Sequence, residues 1–229
     1  MSQSDENGGP DRSSASDAVY QLIRERLLHG YYPPGKALRE IELSTELSFS
    51  RTPVREALRR LASQGLVDFV PNKGAKVATW RQADLLQIFI LRANLEGYAA
   101  RRAAVEITDE SIGTLTAISR AMEAAAMSKS DSRADVLSDL NDTFHHAIMS
   151  SSGDGRIAGV TEGIQQVGLV WLTFHRYTAE QLERSLHHHR ELIHAFQQHD
   201  PDWAESVMRC HIFAARSALS ESLLLASRY

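Results

Sequence analysis

Cysteine is almost missing from this chain: Cys210 stands alone, so no disulfide can form within it and nothing points to an oxidising compartment. Long apolar runs are missing too. No stretch approaches the ~18 residues that a membrane-spanning helix needs, and the opening MSQSDENGGPDRSSA has no apolar segment of the kind an export signal carries. The expectation is a soluble, cytoplasmic protein with a disordered tail over residues 1–15. The pattern His-Glu-X-X-His is absent, and the single Glu-X-X-His, Glu191 to His194, falls short of the pair that a di-iron helical bundle uses. A hydrolase or other metalloenzyme built on such motifs is disfavoured, and the chain is expected not to be an enzyme. From residue 81 onward no alternating strand pattern appears, which leaves helices.

What is present suffices for two modest cores: 229 residues, 43% of them apolar, exceed one small domain. The net charge of −4 is unevenly spread. Residues 16–80 hold ten Lys/Arg against seven Asp/Glu, whereas residues 81–229 hold fourteen against nineteen. A basic front on an acidic remainder fits attraction to phosphate at one end of the molecule.

The basic part, residues 16–80, reads as a winged helix-turn-helix. Ser16 is placed to cap a helix whose apolar residues Val19, Tyr20, Ile23 and Leu27 recur at helical spacing, with Gly30 past its end. Pro33-Pro34-Gly35 cannot continue that helix. A short helix over Glu40–Leu47 is expected to bury Ile41, Leu43 and Leu47. Ser50 then offers a cap, and Pro53 falls in the first turn of a third helix, where a missing N–H costs little. Val54, Ala57, Leu58 and Leu61 form the inner face of this helix, Arg51 to Gln64. Arg51, Arg55 and Arg59 recur every four residues on the other side, with Thr52 near the N-terminus. Such a ridge suits a DNA major groove, where guanidinium forks pair with guanine or clamp phosphate. Taken alone, three arginines on a helix more often mean a solvated face; two preceding helices and a following hairpin favour the groove. That hairpin, Leu66–Val70 and Ala75–Thr79 about Pro71-Asn72-Lys73-Gly74, is the expected wing, with Lys73 and Lys76 near the sugar-phosphate backbone.

From Tyr20 to Val77 the chain resembles the GntR-type regulators, in the branch whose second domain is the all-helical FCD type (FadR/VanR-like). Pro34-Gly35, the run Ser50-Arg51-Thr52-Pro53-Val54-Arg55-Glu56-Ala57-Leu58, then Gly65-Leu66-Val67 and Gly74 carry the likeness. The resemblance implies that Ser50, Arg51, Thr52 and Arg55 contact a palindromic operator bound by a homodimer, with Lys73 and Gly74 as the wing tip. Several relatives have a basic, phosphate-touching residue where this chain has Ile41, and Arg39 is the candidate to replace it.

Residues 81–229 read as a bundle of about six antiparallel helices, over 82–105, 109–127, 133–151, 154–176, 178–199 and 201–226, giving a mainly α protein overall. The centre of such a bundle is a usual place for a ligand pocket. His145, four residues after Asn141, borders Leu137, Phe144 and Ile148. His189 is in phase with Leu186, Leu192, Ile193 and Phe196, and His211 with Val207, Met208 and Ala215. His146, Asp139 and Asp142 share a side expected to be solvated, and His187 and His194 look exposed. His189 and His211 lie equally far before and after Asp200, the turn between the last two helices. At ~1.5 Å per residue both imidazoles stand about 16 Å from that turn, and so at one level. Three imidazoles and the Asn141 carbonyl oxygen suit a divalent first-row metal such as zinc, nickel or manganese; three unrelated core histidines are the alternative. The resemblance favours metal, because FCD-type domains ligate it through an Asp or Asn, a His four residues later and two further His, which Asn141, His145, His189 and His211 match.

Arg92 falls on the inner side of the first bundle helix, where an unpaired cation is costly. Either Glu96 neutralises it, or it binds the carboxylate of a small organic acid beside the metal, as an arginine does in similar proteins. The expected activity is that of a ligand-responsive transcriptional regulator, in this family usually a repressor, with a pure metal sensor as the alternative.

Overall fold

The first α-helix, α1, spans Arg12–Leu28 and turns Val19, Tyr20 and Ile23 into the core. It starts before Ser16, so that serine lies inside the helix instead of capping it, and residues 12–15 of the expected tail are helical. The computed structural model describes residues 12–28, 30–70, 74–79, 82–153, 156 and 167–226. Residues 1–11 of the expected tail, Lys73 and most of 154–166 lie outside these. Contacts divide the chain into two units, Met1–Trp80 and Arg81–Tyr229.

In the first unit α2 (Glu40–Leu47) ends where Ser48 takes a left-handed φ of 60°. Leu43 and Leu47 are buried, but Ile41 is 63% exposed, contrary to the periodicity. In an eight-residue helix two inward side chains already fill the contact with the core, and Ile41 falls outside their arc. The next helix, α3 (Arg51–Ser63), follows Ser50, whose backbone is extended but whose side chain makes no capping bond; the expected hydroxyl cap is absent. Strands β2 (Val67–Val70) and β3 (Gly74–Val77) pair antiparallel, Val67 opposite Val77. A two-residue strand not anticipated from the sequence, β1 (Ala37–Leu38), adds to the other edge of β3. Val54, Ala57, Leu58 and Leu61 of α3 close this core together with Tyr20, Tyr32 and Leu38.

The second unit contains, among the described residues, α4 (Gln82–Glu106), α5 (Asp109–Ala126), α6 (Arg133–Ser150), α7 (Val167–Arg176), α8 (Ala179–Gln197) and α9 (Pro201–Ala226). The starts are chemically marked. The Thr108 hydroxyl accepts from Ser111 N at 3.2 Å, Thr178 and Gln181 form a capping box on α8, and Asp200 accepts from Trp203 N at 3.0 Å. Each satisfies amide hydrogens that the first helical turn leaves without a carbonyl. The last helix, α9, packs along α4 and α8, while α6 lies against α5, α7 and α4. Small side chains allow the close approach of α4 and α9: Ala93, Ala100 and Ala104 are fully buried, and a Cβ added at Gly97 would stand 2.8 Å from the Arg209 side chain. Helices α4, α6, α8 and α9 thus place their inner faces around one centre. None of the described helices is long and apolar enough to cross a membrane.

Candidate nucleic-acid interface and metal centre

Because Val54, Ala57, Leu58 and Leu61 of α3 are completely buried, helical phase drives Arg51, Arg55 and Arg59 outward. All three line one open groove with Arg39, Ile41, Phe69 and Gly74. Ser50 and Thr52, at the N-terminal end of α3, are exposed, and Arg39 is paired with Glu42 at 2.9 Å on the surface. Gly74 has φ +94°, and a Cβ there would lie 2.7 Å from the Leu38 carbonyl oxygen. Only glycine takes that backbone and that approach without strain.

Two carboxylates stand among these cations, Glu42 beside Arg39 and Glu40 beside Arg51 and Arg55. Glu40 opens α2, its side chain only 14% exposed. Arg55 donates to it from Nε at 3.0 Å and from Nη2 at 2.9 Å, and Arg51 Nη2 is 3.6 Å away. The Arg55 hydrogen bond above all holds the Glu40 carboxyl below its usual range, against the upward push of partial burial. Nothing in helical periodicity marks Glu40, since its partners lie on another helix.

In the second unit His145 from α6, His189 from α8 and His211 from α9 converge, one ring nitrogen of each within 4.8 Å of the others. The His189 and His211 rings are 4.7 Å apart, as their equal distance from the Asp200 turn requires. His145 Nε2 faces His211 Nε2 at 3.3 Å. Glu96, wholly buried on α4, lies 2.6 Å from His145 Nδ1 and accepts from Arg92 Nε at 2.7 Å. Burial pushes the Glu96 carboxyl up, but Arg92 and His145 outweigh it and bring it to about 2. An ionised carboxylate only accepts, so His145 Nδ1 donates to Glu96, and that bond orients the ring with Nε2 toward the cluster. Burial, reinforced by neighbouring rings, holds His189 and His211 well below the ordinary imidazole value. They are neutral and can offer lone pairs.

The donor set fits a cation. Both nitrogens of His189, Nδ1 of His211 and Oδ1 of Asn141 are enclosed without a hydrogen-bond partner, an arrangement that costs ~1–3 kcal/mol per group unless something satisfies it. Of the two readings of Arg92, the structure contains the ion pair with Glu96. It engages Nε alone, and the same side chain lines a small cavity with Asn141, His211 and Tyr177.

One residue behaves differently from its helical phase. Asp142 is half-buried rather than solvated, and burial raises its carboxyl to about 6. His188 is buried, with Nε2 at 4.0 Å from Cys210 Sγ. The inner face of α8 is wide enough to enclose both members of the His188-His189 pair, a breadth that Ser185, Leu186, Leu192 and Ile193 already signal. His187 and His194 are exposed.

Comparison with known proteins fits both units. Residues 15–77 match the bacterial regulatory proteins of the gntR family, and residues 87–214 match the FCD domain. The chain is 27% identical over 216 residues to the "Probable D-xylose utilization operon transcriptional repressor" of Paenarthrobacter nicotinovorans, covering 92% of this chain and 91% of that protein. It is 28% identical over 197 residues to the HTH-type transcriptional repressor RspR of Escherichia coli (strain K12), covering 85% and 84%. Among solved structures, E. coli McbR/YncC superposes with a TM-score of 0.65 at 21% identity, over 90% of this chain and 97% of that one, a likeness of fold. With a gntR-type DNA-binding unit and an FCD unit each in place, this chain belongs to the GntR family of bacterial transcriptional regulators, in its FCD branch, and is a DNA-binding protein rather than an enzyme.

Proposed function

We propose that this regulator is a cytoplasmic homodimeric repressor that leaves a palindromic operator when a small organic acid binds beside a divalent metal in the FCD unit. Operator contact falls to Ser50, Arg51, Thr52, Arg55 and Arg59 of the α3 region, Arg39 before α2, and the wing at Lys73 and Gly74. Metal is held by Asn141, His145, His189 and His211, with zinc, nickel and manganese as candidates. Two relatives are named as transcriptional repressors, which favours that sign of control.

The observation that carries the ligand reading is three buried imidazoles and a partnerless amide oxygen converging beside Arg92. This donor set bears no charge, and Glu96 is already balanced by Arg92. A divalent cation there would be a buried excess of positive charge, which is unfavourable until an anion joins it. Arg92, bonded only through Nε, keeps its Nη groups for such a carboxylate. On binding, the metal would act as a Lewis acid that anchors the carboxylate oxygen.

A dimer is supported by α4, where Leu91, Tyr98 and Val105 recur every seven residues and are 48%, 51% and 57% exposed. An apolar stripe of that period is what a second helix covers. Two recognition helices must sit about 34 Å apart to dock in successive turns of one face of DNA, so a small repacking of the FCD units could release both.

One observation favours a metal sensor without organic effector: the cavity between Arg92, Asn141 and His211 measures about 20 Å³, room for one water. Mobility shifts separate the two. A duplex selected from random DNA by the wild-type protein is titrated with ZnCl2, NiCl2 or MnCl2, then with small mono- and dicarboxylic acids. Release by acid plus metal supports the effector reading, and release by metal alone supports the sensor. No metal in the purified protein and no response to either would remove both.

A further inference from the structure

We infer that Glu40 is a specificity-determining residue: its carboxylate braces Arg55 from the side, so that the end of the guanidinium is presented to a guanine edge rather than left to swing onto phosphate. This deepens the reading of α3 as the operator-contacting helix and rests on it.

A carboxylate in the middle of a phosphate-seeking groove needs an explanation, because like charge there weakens attraction to DNA. Glu40 is not a solvated bystander. Its side chain is mostly enclosed, and it stands in the first turn of α2, where the helix dipole favours an anion. Its two oxygens take Arg55 Nε and Nη2 in a side-on, bidentate pair. That face of the guanidinium leaves Nη1 and the outer hydrogen of Nη2 unused, and these form the end-on fork that matches guanine O6 and N7. A free arginine side chain pays rotamer entropy when it orders on a base, whereas a braced one has lost it already. Arg51 is farther from the same carboxylate, at 3.6 Å, and is held only as a second, weaker partner. Arg59 has no such pairing with Glu40 among the described residues. The groove thus contains one cation held by two hydrogen bonds to an enclosed carboxylate, while Arg51 is held more loosely and Arg39 pairs with Glu42 on the surface.

A brace and a simple repulsive charge make opposite predictions. The test uses full-length wild type, Glu40→Gln, Glu40→Ala and Arg55→Ala, each checked for an unchanged circular dichroism melt. Affinities are measured for a duplex selected from random sequence by the wild-type protein and for poly(dI-dC), across a salt series. With Glu40→Ala the ratio of specific to non-specific affinity falls roughly tenfold or more, while binding to poly(dI-dC) holds or tightens. Glu40→Gln, which keeps an acceptor oxygen, falls less. Reselection with Glu40→Ala returns a degenerate base at the position that Arg55 reads. If Glu40→Ala tightens binding to both DNAs alike and reselects the same sequence, Glu40 is only a repulsive charge and the inference is overturned. If Arg55→Ala itself keeps full specificity, the fault lies in the assignment of α3, a separate failure.

Discussion

Replacing His189 with leucine should make the metal-free protein more stable and blind to metal, a combination that an ordinary core histidine would not give. His189 is completely buried, and neither of its ring nitrogens has a partner. Leucine of similar size removes both unsatisfied atoms, worth ~1–3 kcal/mol each. Against this stands the lost contact with the Phe144 ring, 4.6 Å away, worth about 0.5–1.5 kcal/mol, and some imperfect packing. A net gain of about 1–3 kcal/mol follows, or roughly 3–10 °C in Tm for a chain of this size. In wild type, metal at a hundred times its Kd adds ~2.7 kcal/mol, and His189→Leu should lose that increment. Differential scanning fluorimetry after chelator dialysis, repeated with ZnCl2, NiCl2 and MnCl2, reads both effects. A metal-free His189→Leu protein that melts below wild type would refute the argument from unsatisfied nitrogens. A full metal-induced shift in the variant would remove His189 from the donor set.

Asn141→Asp adds a negative charge to an otherwise neutral donor set and should tighten metal about tenfold in a chelator-dye competition; an unchanged affinity would place the metal away from residue 141. Gly74→Ala forces a side chain to within 2.7 Å of the Leu38 carbonyl at φ +94°, and should cost about 1–3 kcal/mol in the N-terminal unit, seen as a lowered melt and weakened operator binding. Tyr98→Glu, in the exposed α4 stripe, should convert dimer to monomer in analytical ultracentrifugation and weaken operator binding; a variant that sediments as wild type would move the dimer contact elsewhere. The metal-free protein should lose stability as pH falls below about 6.5. His189 and His211 are held neutral in the folded state, so the unfolded chain binds more protons there, and each contributes a loss approaching 1.4 kcal/mol per pH unit until its folded value is reached. A melt independent of pH between 7.5 and 5.5 would contradict this.

Periodicity and breakers were enough to read α2, α3 and most of the C-terminal helices along the chain, because each is set by residues within one or two turns, whereas the hydroxyl caps expected at Ser16 and Ser50 did not form. The shared level of His189 and His211 was legible for a related reason: helical rise is constant, so two residues equidistant from the Asp200 turn must come side by side. What could not be read was which element lies across from which. Glu96 reaches His145 from forty-nine residues away, and Glu40 reaches Arg55 from fifteen; neither spacing has any period to betray it. The two-residue strand β1 carries too few side chains for a pattern, and Ile41 is exposed although its helix is amphipathic. A linear chain specifies the faces of its elements and pairs within one helix such as Arg92 with Glu96, whereas a partner carried by another element emerges only when those faces have packed and water has been excluded between them.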